Sequence, residues 1–272
     1  MSLFRQSPVF KELKRLEKEE VKLKKQAENC QELLWKDVLE NKIPAKTFAN
    51  LKRAFGKAFE VVFDKGNVII EKTYQKEELK KDFLIRDYAF DLKGKRKELR
   101  KIKSAVAKRN MKNLTISTVE GAGLGVLGIG LPDIIMFTGM ILRGTYETAL
   151  HYGFEYDSLP ERFFILKLLE TSVSKGELWS RCNGQVDKML MESPQVWISK
   201  EENIARKELS EQIGKTGDAF AVDMLAAKFL QGLPLVGMLA GFSNLVYYHR
   251  IMKYVEIKYR KRYLLQKAGT DI

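Results

Sequence analysis

The pattern nearest to a known chemistry is Gly123-x-Gly125-x-x-Gly128, the spacing by which a glycine-rich turn brings a dinucleotide pyrophosphate onto a helix start. The preceding LTIS has strand character, and Glu147, nineteen residues past the last glycine, stands near the position of a ribose-binding acid. A dinucleotide unit continues from that glycine into a helix and then alternates strands with helices. Here Pro132 falls four residues after Gly128 and no strand series follows, which argues against the unit. Gly214-Lys215-Thr216 matches the end of a phosphate loop, but the loop's first glycine belongs at a position held by Leu209. It reads as a helix-joining turn.

Metal and nucleophile chemistry find little support. The only histidines are His151 and His249, and Glu147-x-x-x-His151 is not the Glu-x-x-His of di-iron bundles; such a pair reads as a surface hydrogen bond. No Gly-x-Ser-x-Gly occurs. Cys30 and Cys182 stand far apart with neither zinc spacing nor a disulfide framework, which suits a reducing compartment, and the N-terminus lacks the apolar stretch of a secretory signal. The expectation is a cytoplasmic chain with no cofactor, no metal and no catalytic residue. Asp133, Arg143 and Glu147 are then read as an internal hydrogen-bonded cluster, because buried charges persist when paired. The alternative is an enzyme of unrecognised type with a pocket around those three residues.

Charge gives the clearest binding signal. The net charge is +13, and residues 1–115 hold 30 Lys and Arg against 17 Asp and Glu, whereas residues 116–272 hold 18 of each. Within 91–112 lie Lys93, Lys95, Arg96, Lys97, Arg100, Lys101, Lys103, Lys108, Arg109 and Lys112, opposed by Asp91 and Glu98. Such a segment attracts an anionic membrane surface or another polyanion, or is simply a solvated helix face. A nucleic-acid reading ranks lower, because aromatics do not interleave the cations beyond Phe90.

The elements that must carry these residues are helical. Phe10, Leu13, Leu16, Leu23, Ala27 and Cys30 to Leu34 predict a helix over roughly 9–40. Pro44 opens a second, with Phe48, Leu51, Phe55, Phe59, Val62 and Phe63 on one face. Leu79, Phe83, Leu84, Tyr88, Leu99, Ile102 and Val106 mark a third over 75–110, with Gly94 as an interruption. The stretch 121–142 has one charge, Asp133, and from Pro132 a helix should run to about Tyr152 and stop at Gly153. Ser158-x-x-Glu161 and Ser199-x-x-Glu202 have capping-box form and predict helices at 159–175 and 200–213, before a break at Gly214 and Gly217. A last apolar-to-basic helix follows Pro234. Gly130-Leu-Pro132 is echoed by Gly232-Leu-Pro234, with Tyr146 and Tyr248 equally spaced beyond, which suits two core helices crossing at glycines. The fold class is therefore all-α: a single-domain multi-helix bundle over 1–272. Long amphipathic helices (1–115) pack on a glycine-rich apolar core with a basic C-terminal helix (116–272). The apolar hairpins 121–142 and 229–247 are expected to be buried or reversibly inserted rather than spanning.

Several of these residues carry a resemblance. Gly123 to Gly130, Pro132-Asp133, Leu142-Arg143 and Tyr152-Gly153 are similar to the glycine-rich stretch, Pro-Asp, Leu-Arg and Tyr-Gly of the bacterial EcsC family. Pro234, Gly237, Gly241, Asn244 and Arg260 to Arg262 look like its C-terminal pattern, and Trp35 and residues 43–60 extend the likeness over most of the chain. The resemblance brings no settled activity and no catalytic residue. It implies an association with an operon that encodes an ABC-transporter ATPase and its membrane subunit. With the basic segment, it leads to the expectation of a non-enzymatic module that binds peripherally to the inner face of a membrane, or to a membrane protein.

Overall fold

A computed structural model describes residues 7–28, 45–63, 70–116, 132–230 and 245–270. Nine α-helices occur among them: α1 (Pro8–Glu28), α2 (Ala45–Val61), α3 (Lys76–Lys93), α4 (Arg96–Ile116), α5 (Pro132–His151), α6 (Leu159–Val173), α7 (Gly176–Leu190), α8 (Glu202–Leu230) and α9 (Leu245–Thr270). No strand appears among the described residues, and the chain is an all-α bundle. Leu114 to Ile116 of the LTIS segment are helical and no strand, since α4 runs through to Ile116.

Local rules explain most helix ends. Ser7 Oγ accepts the Phe10 N–H at 3.1 Å and caps α1. Gly94, at φ 55°, ends α3, so the long third helix splits in two where the left-handed turn needs glycine. At the end of α5, Gly153 (φ 82°) donates to Leu150 O at 3.0 Å and Phe154 to Ala149 O at 2.9 Å, the two bonds of a Schellman stop.

The capping boxes form only in part. Ser158 Oγ accepts from the Glu161 N–H at 3.3 Å, but the Glu161 carboxylate turns inward rather than back to Ser158. Ser199 Oγ accepts from the Glu201 N–H, and Glu202 pairs with Arg206 instead of closing a box. Helix α7 is an element the sequence pattern held unread: Trp179, Cys182, Val186, Met189 and Leu190 recur at helical spacing and are buried.

Helices α5 and α9 form the centre. Helix α9 packs on α1, α4, α5 and α6, and α5 also meets α2, α3 and α4. Tyr146, Tyr248, Ile251, Val255 and Tyr259 are fully buried. The crossing of the two helices is close at Gly144, where a Cβ would lie 2.3 Å from the Tyr248 hydroxyl. The basic C-terminal helix is thus no solvated face. Lys258, Arg260 and Arg262 are buried, and each cation has a carboxylate on another helix.

Gly214 and Gly217 do not break the chain, because α8 continues through both to Leu230. Their reasons differ. A Cβ on Gly217 would stand 2.8 Å from Gly56 N and 3.1 Å from Gly56 Cα, so its absence lets α8 lie against the backbone of α2. Phe55 and Phe59 contact Phe220 beside that crossing, at ring separations of 5.6 and 5.5 Å. Gly214 is exposed, and a Cβ on it would meet no atom of another described element within 4 Å. Gly217→Ala is therefore expected to destabilise by about 1–3 kcal/mol, since backbone cannot step aside as a flexible side chain does. Gly214→Ala should instead stabilise by up to about 1 kcal/mol through helix propensity. Urea denaturation of the two variants checks the contrast, and equal shifts would refute it.

Candidate functional site

Two assemblies hold the residues that the sequence singles out. The first is a buried polar network between α5 and the turn leading into α3. Arg143 and Glu147 face each other one helical turn apart on α5, with Arg143 Nε 3.3 Å from Glu147 Oε1, and an Arg143 Nη donates to the carbonyl of Thr73 at 2.8 Å. Tyr146 stacks on Tyr156 with centroids 4.1 Å apart and planes 9° from parallel. The Tyr156 hydroxyl donates to Glu71 at 2.7 Å and accepts from Tyr74 at 2.5 Å. Lys76 closes the group, reaching Glu71 at 3.1 Å and Asp157 at 2.7 Å across the Tyr156 ring.

Burial, with the neighbouring carboxylates, raises the Tyr74 and Tyr156 hydroxyls above the ordinary phenol range, so both stay neutral donors. For Lys76, burial works against the charge, but Asp157 and Glu71 outweigh it and hold the ammonium on. Arg143 and Glu147 thus act on each other and on a backbone carbonyl, which ties α5 to the entry of α3. Tyr152 is buried at the end of α5, and at Gly153 there a Cβ would lie 2.3 Å from the Phe83 ring. His151 and Glu147 are buried too, so the two side chains do not make the surface hydrogen bond their spacing suggests. The side chain of Asp133 lies outside the described residues, as do those of Pro132, Arg109 and Lys112. Gly130, Pro234, Gly237 and Asn244 lie outside them as well, with residues 121–131 of the first hairpin and 231–244 of the second. Among the described residues no three His, Cys, Asp or Glu gather as metal ligands, and no helix is long and apolar enough to cross a membrane.

The second assembly is the basic segment, which divides into two populations. Arg96 and Arg100 turn to Glu12, which is 1% exposed and also receives Arg260 from α9. Lys103 reaches Glu19 at 3.0 Å and Lys101 reaches Glu98 at 2.8 Å. These four pin α4 to α1 and to itself. Lys93, Lys95, Lys97 and Lys108 are exposed and have no ion pair within 4 Å among the described residues. The first three crowd the corner between α3 and α4.

Arg96 of that corner also lines a surface groove of about 460 Å³ with Lys11, Lys14, Arg15, Glu17 and Lys18 of α1. The α1 cations were legible as a face, because 11, 14, 15 and 18 follow the three- and four-residue steps of one helix side. Their union with Arg96 was not.

The internal ion pairs set an acid limit on stability. Burial pushes the carboxyl of Glu12 up, but Arg96 and Arg260 outweigh it and hold it below its ordinary 4.5. Burial likewise raises Asp187, and Lys258 and Lys261 outweigh it, leaving the group below its ordinary 3.8. A carboxyl depressed in the fold stabilises it above the unfolded-state pKa, and that contribution disappears as pH falls through the folded value. The urea midpoint is therefore expected to drop steeply below pH 4.5. A Glu12→Gln, Asp187→Asn double variant should lose less between pH 7 and pH 3, and an equal loss would contradict this assignment.

A family model described as the EcsC protein family matches residues 7–264. No curated protein and no solved structure matches the chain.

Proposed function

We propose, for a chain that belongs to the EcsC protein family, a non-enzymatic role in which it docks peripherally on the anionic inner face of a membrane. The observation that carries this reading is the juxtaposition of two sets of cations. Lys93, Lys95 and Lys97 stand exposed at the α3–α4 corner with no ion pair among the described residues, and Lys11, Lys14, Arg15 and Lys18 line the groove that Arg96 shares. Each such side chain near an anionic leaflet contributes about 1 kcal/mol, so a handful acting together localises a protein. The buried network around Arg143 takes a structural part, holding α3 and hence the corner in place. A nucleic-acid backbone would meet the same cations, and is an outcome of the test rather than a second proposal.

The test is cosedimentation of the full chain with neutral phosphatidylcholine vesicles and with vesicles of about 30% phosphatidylserine at about 0.1 M salt, where surface charge still acts over roughly 10 Å. Pelleting with the anionic vesicles alone supports the reading. Equal and negligible pelleting with both overturns it. Tight single-stranded RNA binding by a chain that ignores vesicles would move the function to nucleic acid.

A further inference from the structure

Helix α3 is apolar on both of its long sides. Its inner side is accounted for, because Leu79 and Phe90 are buried and Phe83 meets the Tyr263 ring at 5.9 Å. On the outer side, Leu84, Ile85, Tyr88 and Leu92 are 62%, 68%, 65% and 67% exposed. Leu84 and Tyr88 are among the apolar residues that mark this helix in the sequence, and the structure turns both to solvent. At 100° per residue these four span an arc of about 100°. No other helix carries two of the exposed large hydrophobics found among the described residues.

The charges around this face are ordered. Asp82 pairs with Arg86, and Asp87 and Asp91 both pair with Lys267, so the acids along the middle of α3 are compensated. Glu77 and Glu78 stand at its N-terminal end, Lys81 shares the exposed arc, and Lys93, Lys95 and Lys97 follow Leu92 directly. At the start of the helix Glu77 pairs with Lys80 at 3.4 Å, so the exposed side passes from a nearly neutral start through apolar residues to a basic end.

We infer that Leu84, Ile85, Tyr88 and Leu92 form an insertion face that seats in the headgroup–acyl boundary of an anionic bilayer, with the C-terminal end of α3 deeper than its start. This rests on the peripheral membrane reading above and adds the mode of contact. Two physical points select lipid over a second copy of the chain. Taking about 200 Å² for each large side chain, the face presents roughly 500 Å², enough to mark an interaction site. Buried against its own copy it would cover about 1,000 Å², below the 1,200 Å² and more of stable interfaces. Packed in parallel, two copies would also oppose their basic corners, whereas anionic headgroups complement that corner. Interfacial binding needs only this combination of modest apolar area and adjacent cations, and Lys81 can lay its stem along the face with its ammonium at headgroup level.

The experiment uses the full chain and vesicles of about 30% phosphatidylserine through a salt series up to about 0.5 M, where pure charge attraction is largely screened. The unsubstituted chain should keep a bound fraction at the top of the series. Leu84→Ser, Ile85→Ser, Leu92→Ser together should weaken binding about tenfold or more at low salt and make release by salt complete. These positions are exposed, so an unchanged thermal midpoint verifies folding. Tyr88→Trp should show quenching by brominated lipids in excess of the unsubstituted chain. If the triple variant binds and releases as the unsubstituted chain does, insertion is overturned while charge-driven docking stands. If the unsubstituted chain binds no vesicle, both readings fail. A dimer in sedimentation velocity that the triple variant abolishes, without lipid quenching, would assign the face to a second copy and overturn the proposal.

Discussion

Arg262→Ala is expected to lower the unfolding free energy by about 3–5 kcal/mol, the range for removing one partner of a buried ion pair. Arg262 is 7% exposed and donates to both Glu161 oxygens, at 2.9 and 2.8 Å. Its guanidinium lies 4.0, 4.7 and 5.1 Å from the ring centroids of Phe154, Trp197 and Phe164. Alanine leaves a void among those rings and a carboxylate whose remaining partner is the Tyr259 hydroxyl at 2.8 Å. Against a total stability of typically 5–15 kcal/mol, the loss is a large fraction.

The pH dependence of the deficit identifies its cause. Burial already holds Glu161 above its ordinary 4.5, with Arg262 and Tyr259 pulling it back. Without Arg262 the folded-state value rises further. A carboxyl raised in the fold favours folding below its unfolded value and loses that contribution as pH climbs, so the deficit should be largest at pH 7–8 and shrink toward pH 5. Arg262→Met with Glu161→Gln should recover much of the loss, because no charge is then stranded. Arg262→Lys should fall between, keeping charge without the planar stack. Urea midpoints across pH measure all four chains. An Arg262→Ala variant within about 1 kcal/mol of the parent would refute the structural importance of the pair.

The second large effect concerns the surface. Lys93→Glu, Lys95→Glu, Lys97→Glu together should weaken binding to anionic vesicles at least about a hundredfold, since three contributions of about 1 kcal/mol are lost and then opposed by repulsion. Lys101→Glu, whose partner Glu98 already offsets it at 2.8 Å, should matter much less. The comparison separates cations that face outward from cations that hold α4 in place. A free-energy loss from Lys101→Glu of about one third of that from the triple variant would mean that only overall charge counts. An unchanged affinity in the triple variant would remove the corner from the site.

Much of the helical layout was legible because its signals are local. Ser7, Gly94 and Gly153 act within a turn of themselves, and apolar periodicity marks which side of a helix seeks cover. The charge asymmetry between 1–115 and 116–272 is a matter of composition. The pairing of Arg143 with Glu147 follows from one helix turn. Elsewhere the same local rules misled. Gly217 looks like a breaker until α2 is seen lying against it, and Glu161 looks like a box residue until Arg262 draws it inward.

By itself the sequence determined that the chain is helical, where several helices stop, and that its excess positive charge lies in its first half, because each depends on neighbours within a few residues or on counting. Only the tertiary structure decided which cations remain outward. Arg96 and Arg100 meet Glu12 and Lys258 meets Asp187 across long sequence separations, while Lys93, Lys95 and Lys97 remain outward. It also decided which apolar side of α3 is covered, since Phe90 and Leu92 differ little as residues and are separated only by what packs against them. Periodicity shows that a helix has faces. The partner that buries one of them is supplied by distant chain, through contacts that no local pattern encodes.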